Sequence, residues 1–181
     1  MFDFSKNYFE LFGLPVGYQV DSGELASRYR SLQKVVHPDR FAAADAQSQR
    51  VSLQNATLVN EAFQTLKDPL RRAQYLLSLH GRGNDAENNT LNDPAFLMQQ
   101  MEWREALSEV SRAQDPHTQL DTLLQEIAGM LRTQVAELAI LLDSPTAEQL
   151  DAADQAVQRM QFLNKLHAEA EAVEADLEEA L

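Results

Sequence analysis

A chain of 181 residues with 44% apolar side chains is long enough to bury a core, as one large domain or as two small ones. It has no cysteine, which excludes disulfides and a secreted framework stapled by them. The formal charge of −13 is unevenly placed: residues 1–80 hold nine Lys and Arg against eight Asp and Glu, whereas residues 93–181 hold five against eighteen. That split points to two units with different partners, and the acidic half argues against a nucleic-acid ligand, whose phosphates need Lys and Arg.

The first residues, MFDFSKNYFELFG, have neither a basic region nor an unbroken apolar run, so they do not read as a signal peptide. No apolar stretch approaches the ~18 residues of a membrane span, and a soluble cytoplasmic protein is expected. Leu25, Tyr29, Leu32 and Val36 recur at steps of four, three and four, which predicts a helix. Asp21 and Glu24 are spaced for a capping box at its start. Val59, Phe63 and Leu66 mark a further helix that must end before Asp68-Pro69, because the residue before proline disfavours the α region. A short helix over 70–79 follows. Residues 81–92, GRGNDAENNTLN, are polar and rich in glycine and asparagine, and read as a linker.

Beyond the linker, Asp93-Pro94, Asp115-Pro116 and Ser144-Pro145 each place a capping side chain before a proline at the first helical position. They predict helices over about 94–113, 116–142 and 145–180. Leu120, Leu124, Ile127, Leu131, Leu138 and Leu141 mark the core face of the middle one. Leu150, Ala153, Val157, Met160, Leu163 and Leu166 mark that of the last. Short turns between such stripes give an antiparallel three-helix bundle. The expected fold is all-α: a helical N-terminal domain over 1–80, a linker over 81–92 and a three-helix bundle over 93–181.

His37-Pro38-Asp39 stands where the second helix must stop, since proline fixes φ and drives His37 out of helical geometry. An imidazole and a carboxylate are thereby displayed on either side of a stiff peptide. At ~100° per residue, Arg30 and Lys34 fall opposite the Leu25, Leu32 and Val36 stripe, on the solvent side. Catalysis by His37 as base with Asp39 as its orienter finds no glycine-rich oxyanion loop and no cysteine nearby, so no enzyme is expected. His37, His80, His117 and His167 do not pair at metal-ligand spacing, and no GxxxxGK[ST] motif is present, so neither a metal, a cofactor nor an ATPase of its own is expected.

The helix from Pro94 carries two apolar faces. Phe96, Trp103, Leu107 and Val110 make a core stripe, while Leu97, Met98 and Met101 lie opposite, flanked by Glu102, Glu105 and Glu109. One apolar face is enough for a surface helix, and methionine-rich surface suits adaptable binding. Phe162 falls ~200° round from Met160, away from the local core stripe, and is expected to join the exposed face.

Several stretches together carry a family resemblance. Tyr8-Phe9, Leu11, Tyr29-Arg30, His37-Pro38-Asp39-Arg40, Val59-Asn60-Glu61-Ala62-Phe63, Asp68-Pro69, Arg72 and Tyr75 resemble a J-domain. AFLMQQMEWREAL, Phe12-Gly13-Leu14-Pro15, Arg40-Phe41, Tyr75–Gly81 and Phe162–Leu166 extend the resemblance over essentially the whole chain, to the HscB family of iron–sulfur co-chaperones. The resemblance implies that His37, Pro38 and Asp39, with Arg30 and Lys34, dock on a DnaK-class chaperone, HscA, and stimulate its ATP hydrolysis. It implies further that Leu97, Met98, Met101, Glu102, Glu105, Glu109 and Phe162 bind the scaffold protein IscU. Met101 stands where leucine is expected, a volume-conserving change. The zinc-binding cysteine pairs of eukaryotic relatives are missing, which points to a bacterial type. The glycine/phenylalanine-rich region and zinc fingers of general J-proteins are missing too, which counts against the alternative of broad capture of unfolded clients.

Overall fold

The computed structural model describes residues 6–37, 45–82 and 93–179, and every regular element among them is a helix. The chain divides into two compact units, Met1–Leu79 and His80–Leu181. The linker expected over 81–92 lies mostly outside the described residues.

In the first unit, α1 (Tyr8–Phe12) opens on a capping box: Asn7 accepts the Glu10 N–H at 2.9 Å and the Glu10 carboxylate accepts the Asn7 N–H at 3.0 Å. It closes on Gly13 at φ 63°, where a Cβ would lie 2.7 Å from the Arg28 guanidinium. That guanidinium donates to the carbonyls of Phe12 and Gly13; the left-handed turn favours glycine, and an added Cβ would also displace the guanidinium.

Asp21 caps α2 (Ser22–Val36) as expected, accepting the Glu24 N–H at 2.7 Å. The expected capping box is only half built, however. The Glu24 carboxylate pairs with Arg28 at 2.6 Å, one turn on, because a charged partner outcompetes a backbone N–H that water can serve.

Helix α3 (Ala46–Lys67) runs antiparallel to α2: Tyr29 stacks on Phe63 at 4.0 Å, while the Ser52 hydroxyl donates to the Val36 carbonyl at 3.0 Å. Asp68 stops α3 and starts α4 (Pro69–Leu79), accepting the Arg71 N–H at 2.8 Å. Tyr75 of α4 stacks on Tyr8 at 4.4 Å, and its hydroxyl accepts the Tyr8 N–H. Phe9, Leu25, Val59 and Leu66 lie fully buried between these helices.

The second unit comprises α5 (Pro94–Glu109), which tightens into a 3-10 turn over Val110–Arg112, then α6 (Pro116–Leu141) and α7 (Ala147–Glu179). Asp93 and Asp115 cap α5 and α6 with proline in the first turn, as expected. The third start differs. Ser144 adopts φ 123°, and the cap is Thr146, which exchanges bonds with Gln149 in both directions. A Thr-x-x-Gln pair satisfies two backbone donors at once, so the helix begins two residues later than Ser144-Pro145 suggests.

Leu120 sits with Ala170 and Ile127 with Leu163, which sets α6 and α7 antiparallel. On α6 the expected Leu120, Ile127 and Leu138 are buried, Leu124 and Leu131 pack partly buried against the core, Leu141 is partly buried, and Leu123, which the stripe omits, is buried too. All six core positions expected on α7 are buried.

The capping carboxylates bear on acid stability. Backbone N–H groups bonded to Asp45 and Asp93, and the Thr118 hydroxyl and N–H bonded to Asp115, hold all three carboxyls below the ordinary 3.8. Arg159, paired with Asp93 at 2.9 Å, adds to the effect there. A carboxyl depressed in the folded state contributes stability that is full above its unfolded value and is lost as pH falls through the folded one. The melting temperature should therefore drop as pH is lowered through and below 3.8, with a shallower drop in Asp93→Asn. Thermal melts across that range check this, and a flat profile would contradict it.

Candidate functional site

The outer face of α2 is built by default. Leu25 and Val36 are buried against the rest of the unit, with Tyr29 and Leu32 partly so, which leaves Arg30 and Lys34 exposed on the opposite side, as expected. Val35, 52% exposed beside Lys34, adds an apolar side chain that the periodicity does not single out. His37 ends the helix at φ −57°, ψ 127°, extended as a residue before proline must be, and exposed. Pro38 and Asp39 lie outside the described residues.

The end of α2 that presents Lys34 and His37 is tied to α3. The Tyr29 hydroxyl donates to Asn60 Oδ1 at 2.9 Å, and the Gln33 amide donates to both Tyr29 and Asn60. With the bond from Ser52 to Val36, these contacts hold the end of α2 against fraying.

In the second unit, α5 buries Phe96, Trp103 and, one step past its end, Val110, at intervals of seven. Leu97, Met98 and Met101 on the other side are 43%, 66% and 73% exposed. Glu102, Glu105 and Glu109 are exposed beside them. Six of the seven residues expected on this face therefore share it.

Phe162 does not. It is half-buried and packs edge-on to Phe96 at 5.8 Å and nearly parallel to Trp103 at 6.3 Å, within the cluster of Phe96, Trp103, Leu123, Ile127, Leu163 and Leu166. The wheel of α7 alone places Phe162 away from its core stripe. The rings of α5 supply a second surface, and Phe162 turns into it. The Arg104 guanidinium lies 5.6 Å above the Phe162 ring, a contact between helices that no single-helix pattern reveals. Among the described residues no group of three or more His, Asp or Glu could hold a metal, and no helix is long and apolar enough to cross a membrane.

Truncation separates the two faces of α5. Phe96→Ala should destabilise by about 3–5 kcal/mol, whereas Met98→Ala and Met101→Ala should stay within about 0.5 kcal/mol. Phe162→Ala should fall between them. Thermal or denaturant melts decide this, and a Met98→Ala variant as damaged as Phe96→Ala would move Met98 into the core.

Residues 7–75 match the family model of the DnaJ domain, and residues 92–171 match that of the HscB C-terminal oligomerisation domain. A co-chaperone protein HscB homolog of Shewanella amazonensis is 48% identical over 168 residues, 93% of this chain and 97% of the relative. The structure resembles chaperone HscB from Vibrio cholerae with a TM-score of 0.82 at 45% identity, covering 95% of this chain and 99% of that one. It resembles human co-chaperone protein HscB with a TM-score of 0.86 at 26% identity, covering 95% and 84% of the two chains. Two domain matches in this order, and identity close to one half over nearly the full length, place the chain in the HscB family of J-domain co-chaperones.

Proposed function

We propose that this co-chaperone binds the iron–sulfur scaffold protein IscU through α5 and delivers it to HscA, a DnaK-class chaperone whose ATP hydrolysis its J-domain stimulates. The observation that carries the reading is the exposed Leu97, Met98 and Met101 stripe on a helix already anchored by its other face. Each of these side chains contributes on the order of 1.5–3 kcal/mol when a partner removes it fully from water. Glu102, Glu105 and Glu109 border the stripe and set which charges a partner can bring there. The half-buried Phe162 packs on Phe96 and Trp103, the rings that anchor α5.

Arg30 and Lys34 steer the J-domain to an acidic chaperone surface, and His37, Pro38 and Asp39 act on the chaperone there. One chain that carries both units raises the effective concentration of IscU at the chaperone, without any new contact between the two. The setting is the cytoplasm and the output is maturation of iron–sulfur proteins.

HscA ATPase measured with and without IscU tests both halves. Asp39→Asn and His37→Gln should abolish stimulation while leaving the melting temperature within a few degrees of the parent, since a surface substitution of about ±0.5 kcal/mol moves it little. Stimulation should also weaken as salt rises, because exposed charges are screened beyond ~8 Å at physiological ionic strength. Leu97→Ala/Met98→Ala/Met101→Ala should keep the stimulation seen without IscU and lose the added effect of IscU. Full stimulation by a folded Asp39→Asn protein would overturn the first half. Undiminished IscU synergy in the triple variant would overturn the second.

A further inference from the structure

Between α5 and α6 lies an open groove of about 480 Å³. Trp103, Ala106 and Leu123 contribute apolar surface to it, and Glu102, Asp115 and Glu126 line it with carboxylates; no Lys, Arg or His is among its lining residues. Asp115 is already engaged as the cap of α6. Glu126 uses one oxygen, Oε1, to accept the Trp103 indole N–H at 3.0 Å, which leaves its second oxygen and the exposed Glu102 carboxylate to meet a guest. An apolar floor under a carboxylate rim matches one kind of side chain, the aliphatic stem and cationic head of lysine or arginine. Glu102 also borders the exposed apolar stripe of α5, so stripe and groove form one continuous surface.

We propose that this groove receives a lysine- or arginine-bearing segment of the partner protein docked on the neighbouring apolar stripe. The proposal rests on the docking reading above and adds its polarity. The partner lays an apolar patch on Leu97, Met98 and Met101, and a basic side chain next to that patch crosses Glu102 into the groove. Charge complementarity favours this occupant, since residues 93–181 carry five Lys and Arg against eighteen Asp and Glu.

Trp103 is the single tryptophan of the chain, so its emission reports on the groove directly. The probe is an acetylated hexa-arginine peptide, titrated into the full chain. The parent should show a saturable change in Trp103 emission. Glu102→Gln/Glu126→Gln, in which glutamine retains an acceptor for the indole, should bind at least severalfold more weakly with an unchanged melting temperature. Glu178→Gln/Glu179→Gln, with the same net charge but altered at the far end of α7, should bind like the parent. Glu102→Gln alone, on an exposed position, should show part of the loss even if Glu126→Gln disturbs folding.

Equal weakening in the two double variants would reduce the effect to overall charge and overturn the proposal, as would no weakening in either. The same emission change with spermidine at equal concentration would make the groove a small-cation site and overturn it too. Leu97→Ala/Met98→Ala/Met101→Ala should respond to hexa-arginine like the parent while losing IscU affinity. If that loss occurs but the peptide response fails, the groove falls and the docking stripe stands. If IscU affinity survives in the triple variant, the docking reading falls.

Discussion

The second unit depends on how α5 is anchored. A surface helix ordinarily sinks three or four residues in every two turns. Here Phe96, Trp103 and, just past the end, Val110 are sunk, with Leu107 partly buried against the same clusters. So narrow a seam suffices because two of the three are large rings, each able to bury about 150–250 Å². They meet edge to face at 6.1 Å, and Phe162 of α7 closes the cluster. Polar contacts pin the two ends of the ring cluster: Asp93 pairs with Arg159 of α7, and the Trp103 indole bonds Glu126 of α6. With its attachment concentrated in these few groups, α5 has most of its circumference left for Leu97, Met98, Met101 and the glutamates.

The same economy links core and surface. Phe162 supports Phe96 and Trp103 from within, and Arg104 covers its ring on the way to solvent. A substitution at Phe162 therefore disturbs the footing of α5 as well as whatever docks on it, and binding data from such a variant mix two effects. Met98 and Met101 are the cleaner probes, since nothing in the fold needs them buried. In the first unit the division of labour is sharper. The buried stripe of α2 and its bonds to α3 hold the helix end in place, and the basic side chains beside it lie on the exposed face.

Much of this was legible in the sequence, for identifiable reasons. Steps of three and four from Leu25 to Val36, and the Asp-Pro pairs at 68, 93 and 115, state helix faces and helix ends directly, because each is a local rule. So is the exposure of Leu97, Met98 and Met101 opposite Phe96 and Trp103. The misses occurred where a second element competes. Glu24 chose Arg28 over the cap of its own helix, and Thr146 with Gln149 displaced Ser144 at the start of α7. Leu123 joins Leu124 at the core because both flank the interhelical axis, and only packing shows that the seam takes in the two. Phe162 was misplaced because a helical wheel knows only its own helix, and its neighbours come from α5. The roles of Pro38 and Asp39 rest on motif and family alone.

The central claim is that the exposed apolar stripe of α5 is removed from water when the scaffold partner binds. Burial of apolar surface carries a negative heat-capacity change, the robust marker of this mode. The direct measurement is calorimetric titration of the full chain with IscU at several temperatures, beside Leu97→Ala/Met98→Ala/Met101→Ala. The account predicts a clearly negative heat-capacity change for the parent that shrinks toward zero in the triple variant, with melting temperatures alike. A parent value near zero, or one that the triple substitution leaves untouched, would contradict it.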